Sequence, residues 1–244
     1  MRIAVVSDIH GNLTALDAVI ADLREAGADL VVHGGDLVGG GPRPAEVIDR
    51  VRELNWPGVY GNTDEMLWKP NRVSEMLQAP HLQRVRDLLL THTIPATLRA
   101  IGDQRLAWLR SLPTRWSSGD LTVVHAGPDD PWRSPFANAS DDELARTYSR
   151  LASQCVVYGH IHEPYIRRLS TFTVANSGSV SLSYDGNPHA AYALIDHDRI
   201  EIRRVRYDVE EEIARLSDPH DPFVTSTAQT LRTGWYVPLS ADGD

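Results

Sequence analysis

Seven oxygen- and nitrogen-bearing side chains recur along this sequence in a pattern that could hold metal ions: Asp8, His10, Asp36, Asn62, His125, His160 and His162. Carboxylate, amide oxygen and imidazole suit divalent transition metals such as Mn, Fe, Zn, Ni or Co. The lack of a thiolate in the set argues against an iron–sulfur centre or a structural zinc site. Seven donors exceed what one catalytic ion needs from a protein. They suit two ions about 3.5–4 Å apart sharing a bridging carboxylate, which lower the pKa of a water and stabilise both oxygens of an in-line displacement. That chemistry is phosphoester hydrolysis. Taken singly, each residue has a plainer reading: Asp8 and Asn62 as turn residues, a lone histidine as a packed one, Gly159-His160-Ile161-His162 as chance spacing. The ordered set outweighs those readings.

The elements that must position these residues follow from the apolar pattern. Ile3–Ser7 reads as a buried strand, followed by Asp8 and His10. Asn12 caps a helix whose apolar residues Leu13, Leu16, Val19, Ile20 and Leu23 recur at helical spacing up to Gly27. Leu30–His33 is a second strand before Asp36, Pro44 opens a second helix, and Gly58–Tyr60 is a third strand before Asn62. This βαβαβ start predicts a mainly parallel sheet. Residues 63–113 read as mostly helical, with Leu106, Leu109 and Leu112 on one stripe, and Ser117-Ser118-Gly119-Asp120 as a turn. Leu121–Val124 is a strand ending at His125, Ser140 caps a helix, and Cys155–Tyr158 is a strand before His160 and His162. Further short strands suggest a second sheet, and Val209–Leu216 a short helix. Residues 218–244, with Pro219, Pro222 and Pro238, read as an extended tail with a disordered end. The expectation is one domain over residues 1–244, with two packed sheets flanked by helices and residues 63–119 as a helical lid. Ligand-type residues then collect at the carboxyl ends of strands, where α/β proteins build their sites.

Composition narrows the function classes. The 244 residues carry a net charge of −9 with histidine neutral, which disfavours sequence-independent nucleic-acid binding. Cys155, the single cysteine, cannot form an internal disulfide and lies in an apolar strand, where a thiol is inert. No apolar run reaches the length of a membrane span, and the first one is too short for a signal peptide, so a cytoplasmic location is expected.

The segments Ser7-Asp8-Ile9-His10-Gly11-Asn12, Gly35-Asp36, Gly61-Asn62, Val124-His125-Ala126 and Gly159-His160-Ile161-His162 resemble, in order, the five blocks of the calcineurin-like metallophosphoesterases. Asn176-Ser177-Gly178-Ser179-Val180 resembles a further loop of the small prokaryotic branch, extending the likeness to about residue 195. The resemblance implies an α/β fold, a four-layer αββα sandwich of two packed mixed β-sheets flanked by helices. It implies one metal on Asp8, His10 and His162, a second on Asn62, His125 and His160, and Asp36 bridging, with Mn the favoured ion. Asp36, Asn62 and His125 are the residues it assigns to catalysis, by direct attack of a bridging water or hydroxide on phosphorus. The sequence departs from the family pattern at Thr63, where many members place a histidine that contacts substrate, at Gly39, where a second Asp is frequent, and at Tyr184, where the small branch often has Arg. Threonine cannot deliver a proton near neutral pH as imidazole can.

Arg43, Thr63 and Asp64 are the candidate substrate contacts. For Trp68, Arg72, Trp132 and Arg133, packing or solvation is the better reading than substrate contact. The function expected is hydrolysis of a small phosphorylated substrate, a nucleotide among the candidates. The alternatives are a protein serine/threonine phosphatase and a metal-binding interaction scaffold. Retention of all seven donors weighs against the scaffold.

Overall fold

The computed structural model describes residues 1–197, 199–216 and 222–239. Strand β1 (Arg2–Val6) is apolar on both faces because both are covered. It pairs in parallel with β2 (Leu30–His33), from Ile3 beside Leu30 to Val6 beside His33. Helix α1 (Leu13–Ala26) makes the crossover. The Asn12 side chain accepts the Ala15 amide, and Gly27 ends the helix in the left-handed conformation. Helix α2 (Pro44–Glu53) has Pro44 in its first turn and buries Val47, Ile48 and Val51.

The expected strand at 58–60 is reduced to a single parallel bridge between Gly58 and His33. The Val59 amide still donates to the His33 carbonyl, but the Tyr60 amide turns to Pro113 and the ladder stops. The helical run then comprises α3 (Asn62–Glu65), α4 (Asn71–Met76), α5 (Gln83–Leu88), a π turn over Leu89–Thr93 and α6 (Ile94–Ser111). Leu109 is fully buried, with Leu106 and Leu112 packed beside it. The expected four-residue turn at 117–120 is shorter. Ser117 and Ser118 belong to β3 (Arg115–Ser118), which forms a hairpin with β4 (Leu121–Val124) through Gly119-Asp120.

Ser140 caps α7 (Asp141–Tyr148) by accepting the Glu143 amide. β5 (Cys155–Tyr158), β6 (Tyr165–Arg168), β7 (Thr173–Asn176), β8 (Ala190–Asp196) and β9 (Arg199–Val205) follow, then α8 (Val209–Ala214) and α9 (Pro222–Thr233). Helix α9 replaces the extended tail expected over residues 222–233, and Ala228 and Leu231 on it are buried. Pro222 is its first residue, where a missing N–H costs nothing. The Pro219 position and the end at 240–244 lie outside the described residues.

Both sheets are mixed. One runs β2-β1-β8-β9, parallel only between β1 and β2, which corrects the mainly parallel expectation. The other runs β3-β4-β5-β7-β6, parallel at its centre and antiparallel at its edges. Alternation along each strand sorts side chains into three cores. Ile3, Val5, Ala193 and Ile195 of the first sheet meet Leu121, Val123, Val157 and Ala175 of the second. Ala4, Val6, Tyr192 and Leu194 face α1, α2 and α6. Val124, Val156, Tyr158 and Val174 face α7 through Leu144 and Tyr148. The result is the four-layer αββα sandwich. Among the described residues, no helix is long and apolar enough to cross a membrane.

Candidate metal centre

Asp8 and His10 follow β1, Asp36 follows β2, His125 follows β4, and His160 and His162 follow β5; Asn62 opens α3. Of the eight non-glycine residues described with positive φ, five are Asp8, His10, Asp36, His160 and His162, at φ 57°, 51°, 52°, 68° and 59°. Left-handed backbone costs such residues roughly 1–2 kcal/mol each, and the surroundings must hold it. Here the loops brace one another. The Asp8 amide donates to Gly35 O (3.1 Å) and the His10 amide to Asp36 O (2.9 Å). The His160 amide donates to both Asp8 carboxylate oxygens, each at 3.1 Å. Glycine precedes Asn62 and His160 for a steric reason. A Cβ on Gly61 would strike Asp36 Oδ1, and one on Gly159 would strike Asp8 Oδ2 and Ser7 Oγ. The loop 176–182 closes the back. The Ser179 hydroxyl donates to Asp8 O (2.8 Å), and the Asn176 amide group donates to Gly159 O.

The imidazoles are fixed through Nδ1 or face the same oxygen. His10 Nδ1 donates to Gly39 O (2.7 Å) and His162 Nδ1 to Leu182 O (2.6 Å). That tautomer leaves a lone pair on each Nε2, and these two atoms face each other at 3.2 Å. Asp8 Oδ1 is 3.2 Å from His162 Nε2. With both rings neutral, three acceptors converge without a hydrogen to share, an arrangement that a shared proton or a metal cation satisfies. A second convergence stands beside it. His125 Nδ1 donates to Gly34 O (2.8 Å), its Nε2 stands 2.9 Å from Asn62 Oδ1, and His160 Nδ1 is 2.9 Å from the same oxygen. Asp36 lies between the two, with Oδ2 3.7 Å from His10 Nε2 and Oδ1 3.5 Å from His125 Nε2. Asp8, His10 and His162 bring ligand atoms within 4.8 Å of one another, as do Asp8, Asp36 and His125. All seven predicted ligand residues thus share one site.

Burial works against the Asp8 carboxylate, but the charge and hydrogen bond of His162, with His125 and His10 behind it, hold it well below the usual carboxylate range. Burial pulls His10 down, and Asp36 offsets this only in part. Burial and neighbouring His125 take His160 down to about 4. Burial also opposes charge on His125, yet Asp36 and Asp8 outweigh it and raise that ring. An anionic Asp8 beside His10 and His160 held neutral suits a divalent ion, while His125 must give up a proton to join them.

The three expected substrate contacts fare differently. The Thr63 amide donates to Asp36 Oδ1 (2.9 Å) and its hydroxyl to Val38 O (2.7 Å), so Thr63 orients the central carboxylate. Asp64 is corrected from a substrate contact to a buried clamp. Its carboxylate accepts the amides of Leu37 (3.0 Å), Val38 (3.3 Å) and Gly61 (2.9 Å), and burial with the nearby Asp36 charge pushes it up to about 7. Arg43 is likewise engaged elsewhere: its guanidinium pairs with buried Glu212 and donates to Thr14. Arg72 pairs with Asp130, the Trp132 indole donates to Glu65, and Trp68 packs edge-on against Tyr60, in line with the plainer readings. Burial pushes the Cys155 thiol up to about 12, which leaves it inert. The sequence marks Tyr184 only by the absence of an arginine. Its ring stacks on His162, centroids 4.5 Å apart and planes inclined 26°, and meets Tyr236 edge-on. No spacing signal marked it, because the contact joins a loop to a strand end.

The comparisons agree with this geometry. An uncharacterised protein of Methanocaldococcus jannaschii is 28% identical over 237 residues, covering 88% of this chain and 91% of the relative. Phosphodiesterase YfcE of Escherichia coli K12 is 27% identical over 212 residues, covering 83% of this chain and 91% of the relative. The crystal structure of a metallophosphoesterase from Sphaerobacter thermophilus superposes with a TM-score of 0.77 at 29% identity, covering 96% of this chain and 99% of the other. The sequence model of the "Calcineurin-like phosphoesterase superfamily domain" matches residues 1–199, and the chain belongs to that superfamily.

Proposed function

We propose that this chain is a metal-dependent phosphoesterase that hydrolyses phosphomonoester, phosphodiester or nucleotide phosphoanhydride bonds in the cytoplasm. Asp8, His10 and His162 would hold one divalent ion, Asn62, His125 and His160 a second, and Asp36 would serve both, with Mn the favoured metal. The observation that carries this reading is the pair of Nε2 lone pairs of His10 and His162 facing each other at 3.2 Å beside Asp8. Bound divalent ions supply Lewis acidity, activating water and neutralising phosphate oxygens.

The chain's own residues orient and limit the reaction. Backbone carbonyls of Gly39, Leu182 and Gly34 accept from Nδ1 of His10, His162 and His125, so that each neutral ring turns its Nε2 toward the site. The Thr63 amide fixes Asp36 between the two groups. The Thr63 hydroxyl is committed to Val38 O and replaces no imidazole acid, so the leaving oxygen departs as an anion or takes a proton from solvent. Esters with good leaving groups are therefore favoured. The E. coli relative's name supports phosphodiesters within this class.

Hydrolysis of bis-p-nitrophenyl phosphate after Mn addition tests the reading, with Asp36→Asn and His125→Ala as controls. Wild type is expected to turn over, and each variant to lose more than the roughly 10–100-fold seen when outer-shell partners of metal ligands are removed. Both variants should keep the wild-type circular dichroism. Near-full activity in either variant rejects the assigned roles.

A further inference from the structure

A cavity of about 360 Å³ adjoins the candidate metal centre through residues that contact its donors. Four of its lining residues each touch the centre. Gly39 and Leu182 offer the carbonyls that orient His10 and His162, Thr63 holds Asp36, and Tyr184 stacks on His162. The far wall has two sources. Val85, Leu89, His92, Thr93, Ala96 and Thr97 recur at three- and four-residue spacing, so they present one face of the α5–α6 run. Phe223, Thr227 and Thr230 of α9 do the same from the C-terminal side, and Tyr236 stands at the rim, 58% exposed.

The lining has a chemical character. Among the described residues it includes no Asp, Glu, Lys or Arg; its polar groups are hydroxyls, backbone and the His92 ring. A second phosphate or a polyphosphate chain would lose its hydration there and gain no cation. An uncharged apolar group would lose only water. The volume falls near the lower end of the range for small-molecule sites, roughly 300–1,000 Å³.

We propose that this cavity is the subsite for the organic substituent of the substrate, and that the substituent is an uncharged aryl or alkyl group. This inference rests on the phosphoesterase reading and narrows it: the preferred substrates are phosphoesters of bulky apolar alcohols or phenols, with the single reacting phosphate at the metal centre. Helix α9 and the segment after it, outside the five sequence blocks, then set substrate choice.

The test uses non-hydrolysable phosphonates that share a headgroup: methyl-, butyl-, benzyl- and naphthylmethylphosphonate, titrated by calorimetry into Mn-loaded full-length protein. Affinity is expected to rise at least tenfold from methyl to naphthylmethyl, the scale on which apolar pockets discriminate single methylenes. In Ala96→Trp, which fills the cavity, and in Leu89→Ala, which removes an isopropyl group from its apolar wall, that ratio should shrink. Circular dichroism checks that each variant is folded, and Leu89→Ala carries the test if Ala96→Trp is not. Methylphosphonate binding without gain along the series overturns this inference alone, as does a gain undiminished in a folded variant. Failure of every phosphonate in the series to bind overturns the phosphoesterase reading beneath it.

Discussion

His125 differs from the other imidazoles of the site. Burial lowers His10 and His160, whereas Asp36 and Asp8 raise His125 above its ordinary 6.5. In the metal-free protein His125 therefore keeps its proton at and somewhat above pH 6.5, and a divalent ion must displace it. Metal affinity should rise with pH through a titration above 6.5, and loading near neutrality should release a proton. Calorimetry in buffers of different ionisation enthalpy reads this directly. In His125→Asn the proton release should vanish; equal release from the variant and wild type would assign it elsewhere. The residue types and order of the seven donors were plain in the sequence. The tautomers were not, because Gly34, Gly39 and Leu182 present their carbonyls only once three separate loops have folded.

At the scale of elements, the loops rather than the strands carry the precision. Gly61 and Gly159 let the backbone pass against the Asp36 and Asp8 carboxylates. Gly159→Ala should displace Asp8, and metal uptake should fall at least tenfold while the strand content is unchanged. Metal analysis of the desalted variant together with circular dichroism checks this; full metal retention would show that the contact is slack. Strands with apolar runs, such as β1 and β5, were legible, and so were the caps at Asn12 and Ser140. β3 was not, because an exposed edge strand of Arg115, Trp116, Ser117 and Ser118 has no apolar alternation. Nor was α9. Its prolines suggested extended chain, although Pro222 suits a first turn and Val224, Ala228 and Leu231 follow at helical spacing. The Gly58–Tyr60 segment misled in the other direction: its composition suited a strand, but Pro113 claims the Tyr60 amide.

Across the whole molecule, one histidine among the described residues is fully buried yet takes no part in the donor set. His33 is fully buried against Gly58 and near Trp108, neither ring nitrogen has a hydrogen-bond partner, and burial takes it down to about 4. The unfolded chain takes up a proton on this ring below about 6.5, the folded chain only below about 4. Stability from this group is thus intact above pH 6.5 and lost as pH falls toward 4, by about 3 kcal/mol. In His33→Phe that part of the acid-side slope should disappear from urea unfolding curves measured across pH 4–7. An unchanged slope would place the acid sensitivity in other groups.

The two sheets converge their strand ends on one place, which on the proposed function would hold two ions. Metal analysis of protein stripped by chelation, reloaded with Mn and desalted, tests it most directly. Two Mn per chain are expected, and fewer in Asp36→Asn. Fewer than one Mn per wild-type chain would contradict it.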